Sequence, residues 1–121
     1  MGSSKILIVE DHPDTQLFLA TVLKMKGYIP VVHTSSTEAL AGAAQDPELK
    51  AALVDLSLEI PIEDFISKIR SLPGLNTLPV IIVSGRDWTQ QKALEVGAQA
   101  FLRKPCDLAS LMGAVKSVVG D

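Results

Sequence analysis

Cysteine is nearly absent: Cys106 is the only one in 121 residues. A single thiol excludes an intrachain disulfide and suits a reducing, cytoplasmic setting. It reads as an inert side chain rather than a catalytic one. No run reaches 18 apolar residues, so neither a membrane span nor membrane association is expected. Positive charge is neither dense nor in excess. Lys and Arg number 11 against 14 Asp and Glu, for a formal charge of -3, and the only adjacent basic pair is Arg103-Lys104. That balance leaves no electrostatic footprint for direct nucleic-acid binding. Met1-Gly2-Ser3-Ser4 lacks the basic start and apolar core of a signal peptide. Residues 1–4 read as a short leader or expression remnant, 5–119 as one domain and 120–121 as a tail.

What is present is an alternation of short apolar runs and longer periodic segments. Lys5–Val9 (KILIV) predicts a strand, and its continuous apolar character suits a central parallel strand covered on both faces. Residues 13–26 predict a helix with Pro13 in its first turn and Gly27 past its end. Ile29–His33 predicts a second strand, at a sheet edge because Pro30 lacks a ladder donor. Ser35 or Ser36 would cap a helix reaching about Gln45. Strands at Ala51–Val54, Pro79–Val83 and Gln99–Leu102 alternate with helices at Glu63–Ser71, 87–96 and from about Asp107 to Val119. Five βα units demand parallel strands and right-handed crossovers. Two doubly wound layouts satisfy this pattern, and periodicity does not choose between them.

Three carboxylates stand where strands should end: Glu10, Asp11 and Asp55. Ligands of open parallel sheets bind beyond those ends. If the first and third strands are neighbours, the three acids converge and repel, unless positive charge intervenes. A hard divalent cation meets that need, and Mg²⁺ prefers an oxygen set with one or two carboxylates. Calcium would want more ligands. Zinc would favour His or Cys, and His12 has no suitable partner for that. Ser84 follows the strand Pro-Val-Ile-Ile-Val and precedes Gly85, so a small hydroxyl donor stands just past that strand end. Lys104 follows the fifth strand and offers a positive point charge for phosphoryl oxygens. Each position alone reads as a cap or a solvated loop group; five together at successive strand ends point to one site.

The pieces ILIVEDHPD, LVDLSL, PVIIVSG and AFLRKPCDLASL, in this order and spacing, resemble the receiver domain of two-component response regulators. The resemblance runs from about Lys5 to Val119. It implies an α/β, flavodoxin-like, doubly wound fold: a five-stranded parallel sheet of order 2-1-3-4-5 in three α/β/α layers. It implies that Asp55 accepts a phosphoryl group and that Glu10, Asp11 and the backbone carbonyl of Ser57 help it hold Mg²⁺. Ser84 and Lys104 would engage the phosphoryl group, and Ser84 with Phe101 would form the switch. The donor would be a sensor histidine kinase or a histidine phosphotransfer protein. The readout would be a downstream effector domain or, as in some relatives, a homodimer. Phosphorylation and dephosphorylation would be catalysed by the domain itself, without a conventional enzyme activity. A flavin carrier would need a Ser, Thr and Gly-rich loop where this chain has Glu-Asp-His-Pro-Asp. A metal-dependent hydrolase would need a cap for which little chain remains.

The segment after Asp55, LSLEIPIEDFISKIR, departs from the family. Position 59 is Glu where the family has Pro, Pro61 comes two positions late, and the Gly before the third helix is missing. The Phe65, Ile66 and Ile69 pattern falls one residue early, as after a one-residue deletion. Glu59, Glu63 and Asp64 add negative charge that would oppose phosphoryl transfer if it pointed into the site. An alternative reading follows, a degenerate receiver that acts mainly as a protein-binding or dimerisation module.

Overall fold

The computed structural model describes residues 4–120. Most of the expected leader, residues 1–3, and the terminal Asp121 therefore lie outside the described residues. Ten elements alternate: β1 (Lys5–Val9), α1 (Pro13–Met25), β2 (Ile29–His33), α2 (Ser36–Ala43), β3 (Leu49–Val54), α3 (Ile62–Arg70), β4 (Val80–Ser84), α4 (Gln90–Glu95), β5 (Ala100–Arg103) and α5 (Leu108–Val119). All strand pairs are parallel and the order is β2-β1-β3-β4-β5. This is the flavodoxin-like layout, with the Pro30 strand at an edge. Ser4, assigned to the leader, accepts a hydrogen bond from the Ile29 amide, which extends the β1–β2 pairing by one step.

The period-2 geometry of strands divides the apolar side chains between two cores. Leu7, Val9, Ala52, Val54, Val80 and Ile82 face one side and pack with Ala39, Phe65, Ile66, Ile69 and Ala93. That layer is α2, α3 and α4. Ile6, Ile8, Ala51, Leu53, Ile81 and Val83 face the other and pack with Leu19, Val22, Leu23, Leu111 and Val115 of α1 and α5. Each central strand is thus apolar on both faces, as its sequence requires.

Several boundaries differ from the sequence reading, each for a local reason. β3 begins at Leu49 rather than Ala51, because Lys5 pairs with Leu49 and Ile6 with Ala51, a register shift that passes over the exposed Lys50. α4 begins at Gln90 rather than 87, because the Thr89 side chain caps it by accepting from the Lys92 amide. Ser84 is the last residue of β4, paired with Arg103, rather than the residue beyond it. The expected caps of α2 and α5 are in place: Ser35 accepts from the Glu38 amide and Asp107 from the Ser110 amide.

Phe65 is the largest fully buried side chain of the α2–α3–α4 layer. Phe65→Ala should lower the unfolding free energy by about 3–5 kcal/mol, because it leaves a cavity that a close-packed interior only partly fills. Urea titration of the two proteins followed by far-UV circular dichroism measures the loss, and Phe65→Leu should lose less.

Candidate functional site

β1 and β3 are neighbours in register, Val9 opposite Val54. The next residues, Glu10 and Asp55, therefore leave the sheet side by side. The pairing continues at the Asp55 amide, which donates to the Val9 carbonyl at 3.0 Å. Glu10 is held in the same way by the His33 carbonyl of β2, at 3.1 Å. Both side chains are buried, at 1% and 4% exposure, whereas Asp11 is exposed. Ligand atoms of Glu10, Asp11, His12 and Asp55 all lie within 4.8 Å of one another.

Buried carboxylates need partners, and each of these has them. Lys104 Nζ lies 2.8 Å from Glu10 Oε1 and 3.7 Å from Asp55 Oδ2. The ammonium is thus the positive charge that makes two adjacent acids tolerable. Glu10 Oε2 accepts from the His12 amide at 3.1 Å, and the His12 ring Nδ1 lies 3.2 Å from both Glu10 Oε2 and Asp11 Oδ1. Asp55 Oδ1 accepts from the Leu56 amide at 2.8 Å, and Asp55 Oδ2 from the Ser57 hydroxyl at 2.5 Å. β4 and β5 bring in the remaining groups. Ser84 is buried and its hydroxyl oxygen accepts from the Arg86 amide at 3.2 Å. The Lys104 amide donates to the Ser84 carbonyl at 2.9 Å, so one strand pair sets both positions.

The donor set suits a hard cation. Three carboxylates converge with a single imidazole, and no second His or Cys stands in the cluster among the described residues. Oxygen ligands of this kind fit Mg²⁺ and do not make a zinc site. Phe101 lies outside the cluster. It is half-buried against the α2–α3–α4 core, and its amide donates to the Gln90 side chain at 3.0 Å. Trp88 and Arg103 join the same region. Lys92 Nζ sits 4.9 Å from the Trp88 ring centroid, and Arg103 pairs with Asp87 at 2.9 Å. Cys106 is half-buried and burial pushes its thiol up, which agrees with an inert thiol.

The atypical loop does not load the site with charge. Glu59 turns away, and its two oxygens accept from the Ser36 and Thr37 amides at 3.0 and 3.1 Å, at the N-terminus of α2. Glu63 and Asp64 are exposed in the first turn of α3, where negative charge complements the helix dipole. Sequence reasoning missed the Glu59 contact, the Ser57 hydroxyl bond and the Gln16 side chain, which donates to the Glu10 carbonyl at 2.5 Å. One signal was available: apolar residues alternate at Leu56, Leu58, Ile60 and Ile62, which turns Ser57 and Glu59 to the opposite side.

A five-stranded parallel sheet of order 2-1-3-4-5 with acids at the ends of β1 and β3 is the arrangement expected of a phosphoacceptor signalling domain. Residues 6–116 match the model of the response regulator receiver domain, and the chain belongs to that family. It is 33% identical over 116 residues to the TorCAD operon transcriptional regulatory protein TorR of Escherichia coli, covering 94% of this chain and 49% of TorR. The chain therefore spans about half the length of that relative. A response regulator receiver domain (CheY-like) from Methylobacillus flagellatus superimposes with a TM-score of 0.83 at 28% identity, over 97% of this chain and 99% of that one. The receiver domain of a sensor histidine kinase from Pseudomonas aeruginosa, with a magnesium ion coordinated in its active-site cleft, gives 0.86 at 23% identity, over 99% of this chain and 100% of that one.

Two predictions come from this geometry. Lys104→Ala leaves Glu10 buried without its ammonium and should cost about 1–3 kcal/mol in metal-free buffer. Thermal melts with and without Mg²⁺ should show the deficit shrinking as Mg²⁺ is added. Amides of Ser36, Glu59 itself and Thr37 hold the Glu59 carboxyl at about 2, against an ordinary 4.5. A depressed folded-state pKa stabilises the fold above the unfolded value, so this contribution is complete above about 4.5 and is lost as pH falls towards 2. A carboxyl-carbon NMR titration should place the Glu59 midpoint near the lower value, and a midpoint near 4.5 would contradict the contact.

Proposed function

We propose that this chain takes a phosphoryl group onto Asp55 from a phosphohistidine on a sensor histidine kinase or histidine phosphotransfer protein in the cytoplasm. The observation that carries the reading is the buried Asp55 carboxylate, 3.7 Å from Lys104 Nζ and grouped with Glu10 and Asp11. Glu10, Asp11 and Asp55, with the backbone carbonyl of Ser57, would hold Mg²⁺. Once bound, that ion supplies positive charge for the oxygens of the transferring group. The magnesium ion in the Pseudomonas aeruginosa receiver domain supports this choice of metal.

Asp55 attacks phosphorus in line with the bond to the donor imidazole. A P–O bond forms as the P–N bond breaks, and the electron pair stays on the imidazole nitrogen, which takes a proton from solvent. Two negative oxygens then need new partners. Lys104, already poised between Glu10 and Asp55, follows the charge onto the phosphoryl group. Ser84 turns its hydroxyl from the Arg86 amide to donate to a phosphoryl oxygen. Water later attacks phosphorus and releases inorganic phosphate with the Asp55 carboxylate restored.

The output is a change in protein contacts. Movement of Ser84 frees space that Phe101 enters, and the surface made by α4, β5 and α5 is reshaped. This is a population shift between two packings of one fold. A downstream effector domain or a second copy of the chain reads that surface. The degenerate, contact-only reading has less support, because Glu10, Asp11 and Asp55 lie close together, Lys104 meets Glu10, Ser84 ends the strand next to β3 and Glu59 bonds to α2.

Incubation with acetyl phosphate and Mg²⁺ should add one phosphoryl group by intact mass, and Asp55→Asn should abolish it. A phosphoryl adduct that persists in Asp55→Asn would remove Asp55 as the acceptor. No adduct in the wild type would leave the contact-only reading standing.

A further inference from the structure

The N-terminus of α2 is unusually complete in its hydrogen bonds. The first amides of a helix have no partner within the helix. Here the Ser36 amide donates to Glu59 Oε1, the Thr37 amide to Glu59 Oε2 and the Glu38 amide to the Ser35 hydroxyl. The local cap, Ser35, fills one of the three. The other two are filled by a carboxylate from a different element, more than twenty residues along the chain. A carboxylate on two helix-terminal amides makes charge-assisted bonds, and the helix dipole adds to them.

The far end of this contact is the phosphoacceptor loop. Glu59 stands four residues after Asp55, and the intervening residues bear directly on the acceptor. The Leu56 amide and the Ser57 hydroxyl each donate to one Asp55 oxygen. Leu56 is buried and Leu58 and Ile60 are half-buried against the core, so the loop is fixed on one side by apolar packing. Ser57 and Glu59 occupy the opposite, exposed side. Among the described residues, Leu58–Pro61 is tied to other elements by the Pro61 carbonyl, which accepts from the Phe65 amide of α3, and by the two bonds from the α2 amides to Glu59.

We infer that Glu59 is a positioning residue for the phosphoacceptor loop: it clamps the segment carrying Leu56 and Ser57 to α2 and so holds the Asp55 carboxylate in its attacking orientation. The inference rests on Asp55 being the acceptor. Without the clamp, the loop is left to the apolar packing of Leu56, Leu58 and Ile60 and to the Pro61 bond with α3, and nothing ties it to α2. The Ser57 hydroxyl then no longer keeps one orientation towards Asp55, and the fraction of attack-ready carboxylate falls. The reaction rate falls with it, while encounter with the donor is unaffected.

The test compares wild type, Glu59→Ala, Glu59→Gln and Ser35→Ala. Each is labelled with acetyl phosphate at saturating Mg²⁺, and the exchange protection of the Ser36 and Thr37 amides is measured by NMR. Glu59→Ala should lose protection at both amides. Its labelling rate at saturating acetyl phosphate should fall about tenfold, with the half-saturating donor concentration unchanged. Glu59→Gln keeps one accepting oxygen and should fall between, and it carries the test if the alanine variant does not fold. Ser35→Ala removes the local cap of the same helix but leaves the loop clamped, and should label at the wild-type rate. Two results overturn the inference alone: a wild-type rate in Glu59→Ala with amide protection lost, or an equal loss in Ser35→Ala. No labelling of wild type would instead remove the acceptor reading on which the inference rests.

Discussion

Carboxylates that converge at the ends of two neighbouring parallel strands must be neutralised, and the rest of this site is arranged around that need. Glu10 and Asp55 are both buried because β1 and β3 run in register and deliver them together. Two acids so placed would repel each other strongly in a poorly hydrated setting. The Lys104 ammonium meets Glu10 at 2.8 Å and stands 3.7 Å from Asp55. Lys104 comes from the far side of the sheet, beyond β4, so the charge balance of the site depends on the whole strand order.

The fold separates rigid delivery from adjustable contact. The acids and Ser84 sit on or directly after central strands whose residues are apolar on both faces. Those strands fix positions to within the tolerance of close packing. The groups that would have to move lie in loops or on the half-exposed β5 edge: Lys104, the 85–89 segment and Phe101. On the proposed reading, an added phosphoryl group would meet a fixed floor of acids, with the Ser84 backbone beside them, and a movable wall made by the side chains of Lys104, Ser84 and Phe101. That division allows a large change in charge at Asp55 to be felt at the surface without disturbing the sheet.

Much of this was legible in the sequence because it rests on short-range patterns. The apolar strands, the Pro30 edge strand and the Ser35 and Asp107 caps are local signals, and each appears where the pattern places it. Strand order was not legible from periodicity, since two doubly wound layouts share the same alternation. Resemblance to the receiver family supplied it. The convergence of Glu10, Asp11 and Asp55 followed from that order, as did the approach of Lys104. The partner of Glu59 was not legible. Its bonds join residues 22 and 23 apart in sequence, and side-chain to backbone contacts at that separation leave no periodic trace. The shifted start of β3 was missed for a similar reason, because it depends on the register of Lys5 against Leu49.

Both loops that flank the acceptor are tied down by side chains that seize backbone groups of a neighbouring element. Beside Asp55, Glu59 takes the first amides of α2. Beyond Ser84, the Gln90 amide group donates to the Gln99 carbonyl and accepts from the Phe101 amide, so it occupies the open edge of β5. Arg103 adds bonds to Asp87 and to the Trp88 carbonyl. If Ser84 turns towards a phosphoryl group as proposed, it would pull on the segment that Gln90 and Arg103 restrain. On that reading, the strength of those restraints would set how far the equilibrium lies towards the inactive packing before any phosphoryl group arrives. On the proposed reading, the Glu59 bonds act on the other flank, where a fixed carboxylate would favour the reaction. One loop would then be tied to make the chemistry ready, and the other so that the phosphorylated state has something to release.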